Sequence, residues 1–105
     1  MANKYNYQFT DFALADLENA LSYVSNTLMN KKAARDLLVL LDNTIENICD
    51  FPYSYPDCSY YFIEDSAIRH TTIKNYVLVY RVNEEISTIE ILRFKYLSKA
   101  ICYKL

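Results

Sequence analysis

Hydrophobic positions change period along the chain, and each change marks an element. Tyr5, Tyr7 and Phe9 alternate with Asn6 and Gln8, the period of a half-buried strand. From Leu14 the spacing becomes three and four: Leu14, Leu17, Leu21, Val24 and Leu28 form an apolar stripe, with Asp16, Glu18 and Asn19 expected to face water. Thr10 or Asp11 can cap this helix, which the spacing predicts over residues 11–28. Asn30 is placed to cap a second helix whose stripe is Ala34, Leu37, Leu38, Leu41, Ile45 and Ile48, and Pro52 ends it near Phe51. A couple of residues separate the two helices, so they form an antiparallel αα-hairpin.

Beyond residue 66 the pattern turns to strands. A strand is expected around residues 68–73, followed by a tight turn at Lys74 and Asn75. Two runs rich in β-branched and aromatic residues, 76–82 and 88–94, flank the polar segment 83–87, which is the pattern of an antiparallel hairpin. Both runs are nearly continuous in apolar character, as in mid-sheet strands covered by helices. Each is interrupted by one arginine, Arg81 or Arg93, and arginine is rarely buried without a partner. The order β-α-α-β-β-β predicts an α+β fold, with two helices on one face of a mostly antiparallel sheet and the other face partly open. Residues 51–66 hold both prolines and four of the eleven tyrosines and read as a connection. Its tyrosines serve either as a binding surface or as a lid over one end of the core.

Length and composition narrow the picture. The 105 residues make one domain, and 52% hydrophobic with 23% charged residues is ordinary for a folded soluble protein. The first residues lack an apolar core segment and no apolar run approaches a membrane span, so a cytoplasmic protein is expected. The chain has no glycine, which excludes a phosphate-cradling P-loop and a dinucleotide fingerprint and leaves asparagines such as Asn30, Asn75 and Asn83 to supply left-handed turn conformations. Cys49, Cys58 and Cys102 share no metal-ligand spacing and are expected to be reduced; no cofactor or metal is expected. The net charge of −2 conceals a split: residues 1–65 carry 4 Lys/Arg against 10 Asp/Glu, and residues 66–105 carry 7 against 3. A basic C-terminal third suggests a localised anion-binding face.

The segments YQFT followed by a DL-containing helix, a second amphipathic helix ending in FP, IRHTTIKNYVLVYRV and TIEILRFKY resemble the RelE/ParE superfamily of toxins from bacterial type II toxin–antitoxin modules. The resemblance covers nearly the whole chain, and its most specific part is the YRV strand end followed by the ILR strand. It implies a toxin neutralised by a cognate antitoxin, with two branches of activity. One branch cleaves mRNA in the ribosomal A site; the other inhibits DNA gyrase and cleaves nothing. The sequence alone leans to the ribonuclease, with gyrase inhibition, or a relative that only pairs with an antitoxin, as the alternatives.

Attack of a 2′-OH on its own phosphate needs a proton acceptor, cations for the charge that develops, and a donor to the leaving oxygen. The positions matching the ribonuclease branch are Arg69, Arg81, Arg93 and Tyr96 as catalytic candidates, with Lys95 and Lys99 as nearby cations. Tyr96 stands where many members carry a histidine, and a tyrosine is a poor base at neutral pH. An even pairing sum across the hairpin turn would place Val77, Val79, Arg81, Ile89, Ile91 and Arg93 on one face, with the two arginines about 13 Å apart at ~3.3 Å per residue. The plain structural alternative for each arginine is a salt bridge: to a helix carboxylate, or for Arg81 to Glu84, Glu85 or Glu90. His70 follows Arg69 on a strand and should point to the opposite face. Lys95, Lys99 and Tyr103 are partner-binding candidates, and the tail Ala100-Ile101-Cys102-Tyr103 is a candidate antitoxin-docking segment. The long αα-hairpin, conversely, resembles the gyrase-targeting branch.

Overall fold

The computed structural model describes residues 4–56 and 67–96. The expected order of elements is present: β1 (Asn6–Phe9), α1 (Asp11–Ser22) continued by a π-helical segment (Tyr23–Thr27), α2 (Lys31–Asp50), β2 (Ile68–Ile73), β3 (Tyr76–Asn83) and β4 (Thr88–Tyr96). The strands form one four-stranded sheet in the order β1-β4-β3-β2. The β2–β3 and β3–β4 pairs are antiparallel and β1 runs parallel to β4. Both expected caps form: Thr10 Oγ1 accepts the Ala13 N–H at 3.2 Å, and Asn30 Oδ1 accepts the Ala33 N–H at 3.0 Å. The residue before Pro52, Phe51, caps α2 at its C-terminus. Among the described residues no helix is long and apolar enough to cross a membrane.

The core lies between the αα-hairpin and one face of the sheet. Leu37, Leu41, Ile45 and Ile48 of α2 pack on Leu78, Tyr80, Val82, Ile89, Ile91 and Phe94, all buried. Tyr76 stacks on Phe94 with ring centroids 4.8 Å apart. Val77 and Val79 are also buried, on the opposite face, where Ile68 and Leu92 pack against them. That two-sided burial is why β3 reads as an unbroken apolar run.

Three expectations are corrected. First, α1 is rotated somewhat from the predicted stripe: Leu17 and Leu21 still pack on the core, but Ala13, Asp16 and Ala20 are the buried residues and Leu14 and Leu28 are exposed. Asp16, expected in water, is only 8% exposed, because it is bonded to the edge of β4. Second, the left-handed residues among those described are Met29, Lys74 and Ser87, not the asparagines. Asn30 and Asn83 use their side chains instead as local acceptors, for Ala33 N–H and Glu85 N–H.

Third, the hairpin register is not uniform. Near the turn Arg81 pairs with Glu90 and Val82 with Ile89, an odd sum; beyond an irregularity at Val79/Tyr80, Val79 pairs with Arg93 and Leu78 with Phe94. Ile89 and Ile91 therefore face the helices with Val82 and Tyr80, not the side of Arg81. The additional residue in β4, Leu92, is a β-bulge that returns Arg93 to the face of Arg81.

Candidate functional site

The site grows out of the way β4 is edged. β1 pairs with β4 only as far as Phe9 opposite Ile91, leaving the remainder of β4 without a strand neighbour on that side. The chain turns there into α1, which takes over the edge through side chains. Thr10 N–H donates to the Ile91 carbonyl at 3.0 Å, and Thr10 Oγ1 donates to the Ile91 and Leu92 carbonyls at 2.9 and 3.2 Å. Six residues on, Asp16 Oδ2 accepts the backbone N–H of Phe94 at 3.1 Å. A carboxylate thus stands where a strand carbonyl would otherwise be.

Asp16 also binds Arg93 with both oxygens: Arg93 Nε donates to Oδ2 at 2.8 Å and Nη2 to Oδ1 at 3.1 Å. Lys95 Nζ stands 3.7 Å from Oδ1, and the Arg93 guanidinium lies over the Phe12 ring at 5.5 Å. Burial pushes the Asp16 carboxyl up, but the Arg93 and Phe94 hydrogen bonds and the charges of Arg93 and Lys95 outweigh it and hold the group below the usual carboxylate range. The Asp16 hydrogen bond raises the Arg93 guanidinium in turn. Arg81, on the same face, lies 3.7 Å from Glu90, which also accepts from Asn83 Nδ2 at 3.2 Å.

Arg69 does not join this group. It pairs with Tyr80 across the ladder and so lies on the helix side, where it donates to the carbonyls of Tyr53 at 3.2 Å and Tyr55 at 2.7 Å and covers the Tyr53 ring at 4.8 Å. His70 pairs with Val79 and occupies the other face, as strand alternation requires. Tyr96, at the end of β4, is 59% exposed and meets the Tyr76 ring edge-on at 5.7 Å. Lys99, Tyr103 and the tail segment containing Tyr103 lie outside the described residues, as do Cys58 and Cys102; Cys49 is a free, buried thiol.

A second polar cluster escaped sequence reasoning. Glu84, in the β3–β4 turn, accepts from the hydroxyls of Tyr5 and of Tyr53, the latter at 2.6 Å. Those bonds lower the Glu84 carboxyl and, with a smaller effect of desolvation, push Tyr53 up to about 12. Tyr80 Oη donates to the Pro52 carbonyl at 3.1 Å, and Tyr55 packs on the core. Tyr55 thus lids the core, whereas Tyr53 is 45% exposed and is held by Glu84 and Arg69.

Comparison with known proteins places this geometry. The family described as ParE toxin of type II toxin-antitoxin system, parDE, matches residues 7–100. A solved chain of the chromosomal ParDE toxin–antitoxin system from P. aeruginosa superposes with a TM-score of 0.70 at 16% identity, covering 92% of this chain and 100% of that one. A chain of the RelBE2 toxin–antitoxin complex from Mycobacterium tuberculosis gives 0.57 at 18% identity, covering 90% and 99%. At such identities the likeness is one of fold. No curated protein matches.

Proposed function

The chain belongs to the ParE toxin family of type II toxin–antitoxin systems, and on that premise we propose that it acts by binding rather than by cleaving, as an inhibitor of DNA gyrase held inactive by a cognate antitoxin. The observation that carries this reading is the pairing of the two arginines that share the non-helical face. Arg93 is held bidentately by the buried Asp16, and Arg81 lies beside Glu90. A ribonuclease needs cations aimed at charge that appears only in the transition state. A guanidinium already matched to a carboxylate inside the protein offers little of that. The sequence alone leans to the nuclease on the family resemblance, with salt bridges as the structural alternative for each arginine.

The antitoxin part of the proposal is supported by the two similar structures, both of which are toxin–antitoxin assemblies. The basic C-terminal third offers an acidic antitoxin segment a complementary surface. One observation favours the nuclease as a second reading: Tyr96, the position where the ribonuclease branch carries a histidine, is 59% exposed at the end of β4. The purified chain, freed of antitoxin, is to be assayed in parallel against gyrase supercoiling and against mRNA on translating ribosomes. Supercoiling falls at micromolar protein and the message stays intact. A-site cleavage with undiminished supercoiling overturns the proposal.

A further inference from the structure

The outward ridge of α2 carries a charge order that works against its own helix. Lys31 and Lys32 occupy the first turn and Asp50 ends the helix, with no acidic residue in the first turn and no basic residue in the last. The backbone dipole favours the opposite order. Three of the four Lys/Arg among residues 1–65 fall within residues 31–35. The exposed positions Lys32, Arg35, Asp36, Val39, Asp42, Asn43 and Glu46 follow the i, i+3, i+4, i+7 spacing of a helix-packing seam. At its centre Val39 is 58% exposed, an aliphatic in a ridge that otherwise suits water.

From this order we propose that α2 is an interface between two copies of the chain, packed antiparallel about a two-fold axis at Val39. Lys32 and Glu46 each lie seven residues from Val39, and Arg35 and Asp42 lie four and three residues from it on one flank. A two-fold axis across the ridge brings the N-terminal half of one copy onto the C-terminal half of the other. Arg35 then faces Asp42 of the second copy, Asp36 faces the Asn43 amide, and Lys32 faces Glu46, while the Val39 side chains meet at the axis. Within one chain Lys32 pairs with Asp36 at 3.0 Å and Glu46 accepts from Lys4, so both lateral pairs extend existing ion pairs, and the Arg35–Asp42 contact supplies the specificity. The unfavourable order along one helix is thereby the favourable order across two. Leu38 and Leu40, also exposed, flank the seam on either side. A single helix pair makes a small interface, so the association is weak and reversible, with dissociation in the micromolar range.

Sedimentation velocity on the antitoxin-free chain between about 1 and 100 μM tests this. The expected result is a concentration-dependent shift from 12.4 kDa towards twice that mass. Val39→Asp, Arg35→Asp and Asp42→Arg each weaken the dimer about tenfold or more, with unchanged far-UV circular dichroism. Because the contact occurs twice, mixing Arg35→Asp with Asp42→Arg restores association as a heterodimer, and the double variant restores it as a homodimer. A purely structural role for these residues gives no such reciprocal rescue. A chain that stays monomeric at 100 μM overturns the proposal. So does a dimer indifferent to all three substitutions, which would place the contact elsewhere, and so does a failure of the two single variants to rescue one another.

Discussion

Asp16 is the residue on which the geometry of the site turns. It satisfies a strand-edge N–H, clamps Arg93 and draws in Lys95, all from a helix position that is 8% exposed. Removing one partner of a buried pair leaves the other uncompensated, an effect of about 3–5 kcal/mol where both are fully buried. Here the Arg93 side chain is 34% exposed, so Asp16→Ala should lower unfolding free energy by only about 2 kcal/mol. Because Arg93→Ala removes the same contact, the double variant should cost measurably less than the two singles together, as read by urea denaturation. The pH dependence has a fixed sign. The folded Asp16 carboxyl is held low, so its stabilisation is complete above its unfolded value near 3.9 and disappears as the pH falls through the folded one. Asp16→Asn should therefore flatten the acid limb of stability below about pH 4 while leaving its shape at neutral pH unchanged. An unaltered acid limb would show that other carboxylates govern it.

At the scale of elements, periodicity revealed nearly everything that a single strand or helix decides by itself. β2 and the Lys74–Asn75 turn fall where the alternation and turn residues put them, and both helix caps are the expected side chains. What the pattern could not reveal depends on a second element. The rotation of α1 followed from a lone carboxylate in the stripe Ala13, Asp16, Leu17, Ala20, and that carboxylate makes sense only beside an arginine interrupting a distant strand. Read together, the two anomalies form a pair; read singly, one looks solvated and the other functional. The bulge at Leu92 is likewise invisible locally, since it adds a residue without altering the apolar run. Nor does glycine mark the left-handed positions, because the chain has none and places Met29, Lys74 and Ser87 there. For an L-residue with a Cβ that conformation costs roughly 1–2 kcal/mol. Lys74→Gly, at φ 55° in the β2–β3 turn, should consequently raise stability by about 0.5–1 kcal/mol after the added freedom of the unfolded chain is subtracted. A higher denaturation midpoint at unchanged slope is the check, and a lower midpoint would mean that the lysine side chain contributes more than its backbone costs.

Across the whole molecule, charge is distributed in two ways that act at different distances. Residues 66–105 are net basic against an acidic remainder, a field that would draw an acidic segment of the proposed antitoxin from many ångströms away. At contact distance three of those cations already face carboxylates of the chain: Arg93 and Lys95 converge on Asp16, and Arg81 lies beside Glu90. This division predicts a kinetic signature. Steering by the field affects the association rate, whereas a desolvated hot-spot pair would affect dissociation. Raising salt from about 50 to about 500 mM shortens the screening length several-fold and should slow association with the antitoxin by about tenfold or more, with dissociation changed by less than about twofold. Lys95→Ala, which removes one basic charge at a half-buried position outside the main core, should act in the same direction by about two- to fivefold. Stopped-flow association and surface-capture dissociation measured on the same variants separate the two rates. If salt and Lys95→Ala instead accelerate release, the cations are bound tightly in the complex, and Asp16 must then give up Arg93 when the antitoxin docks.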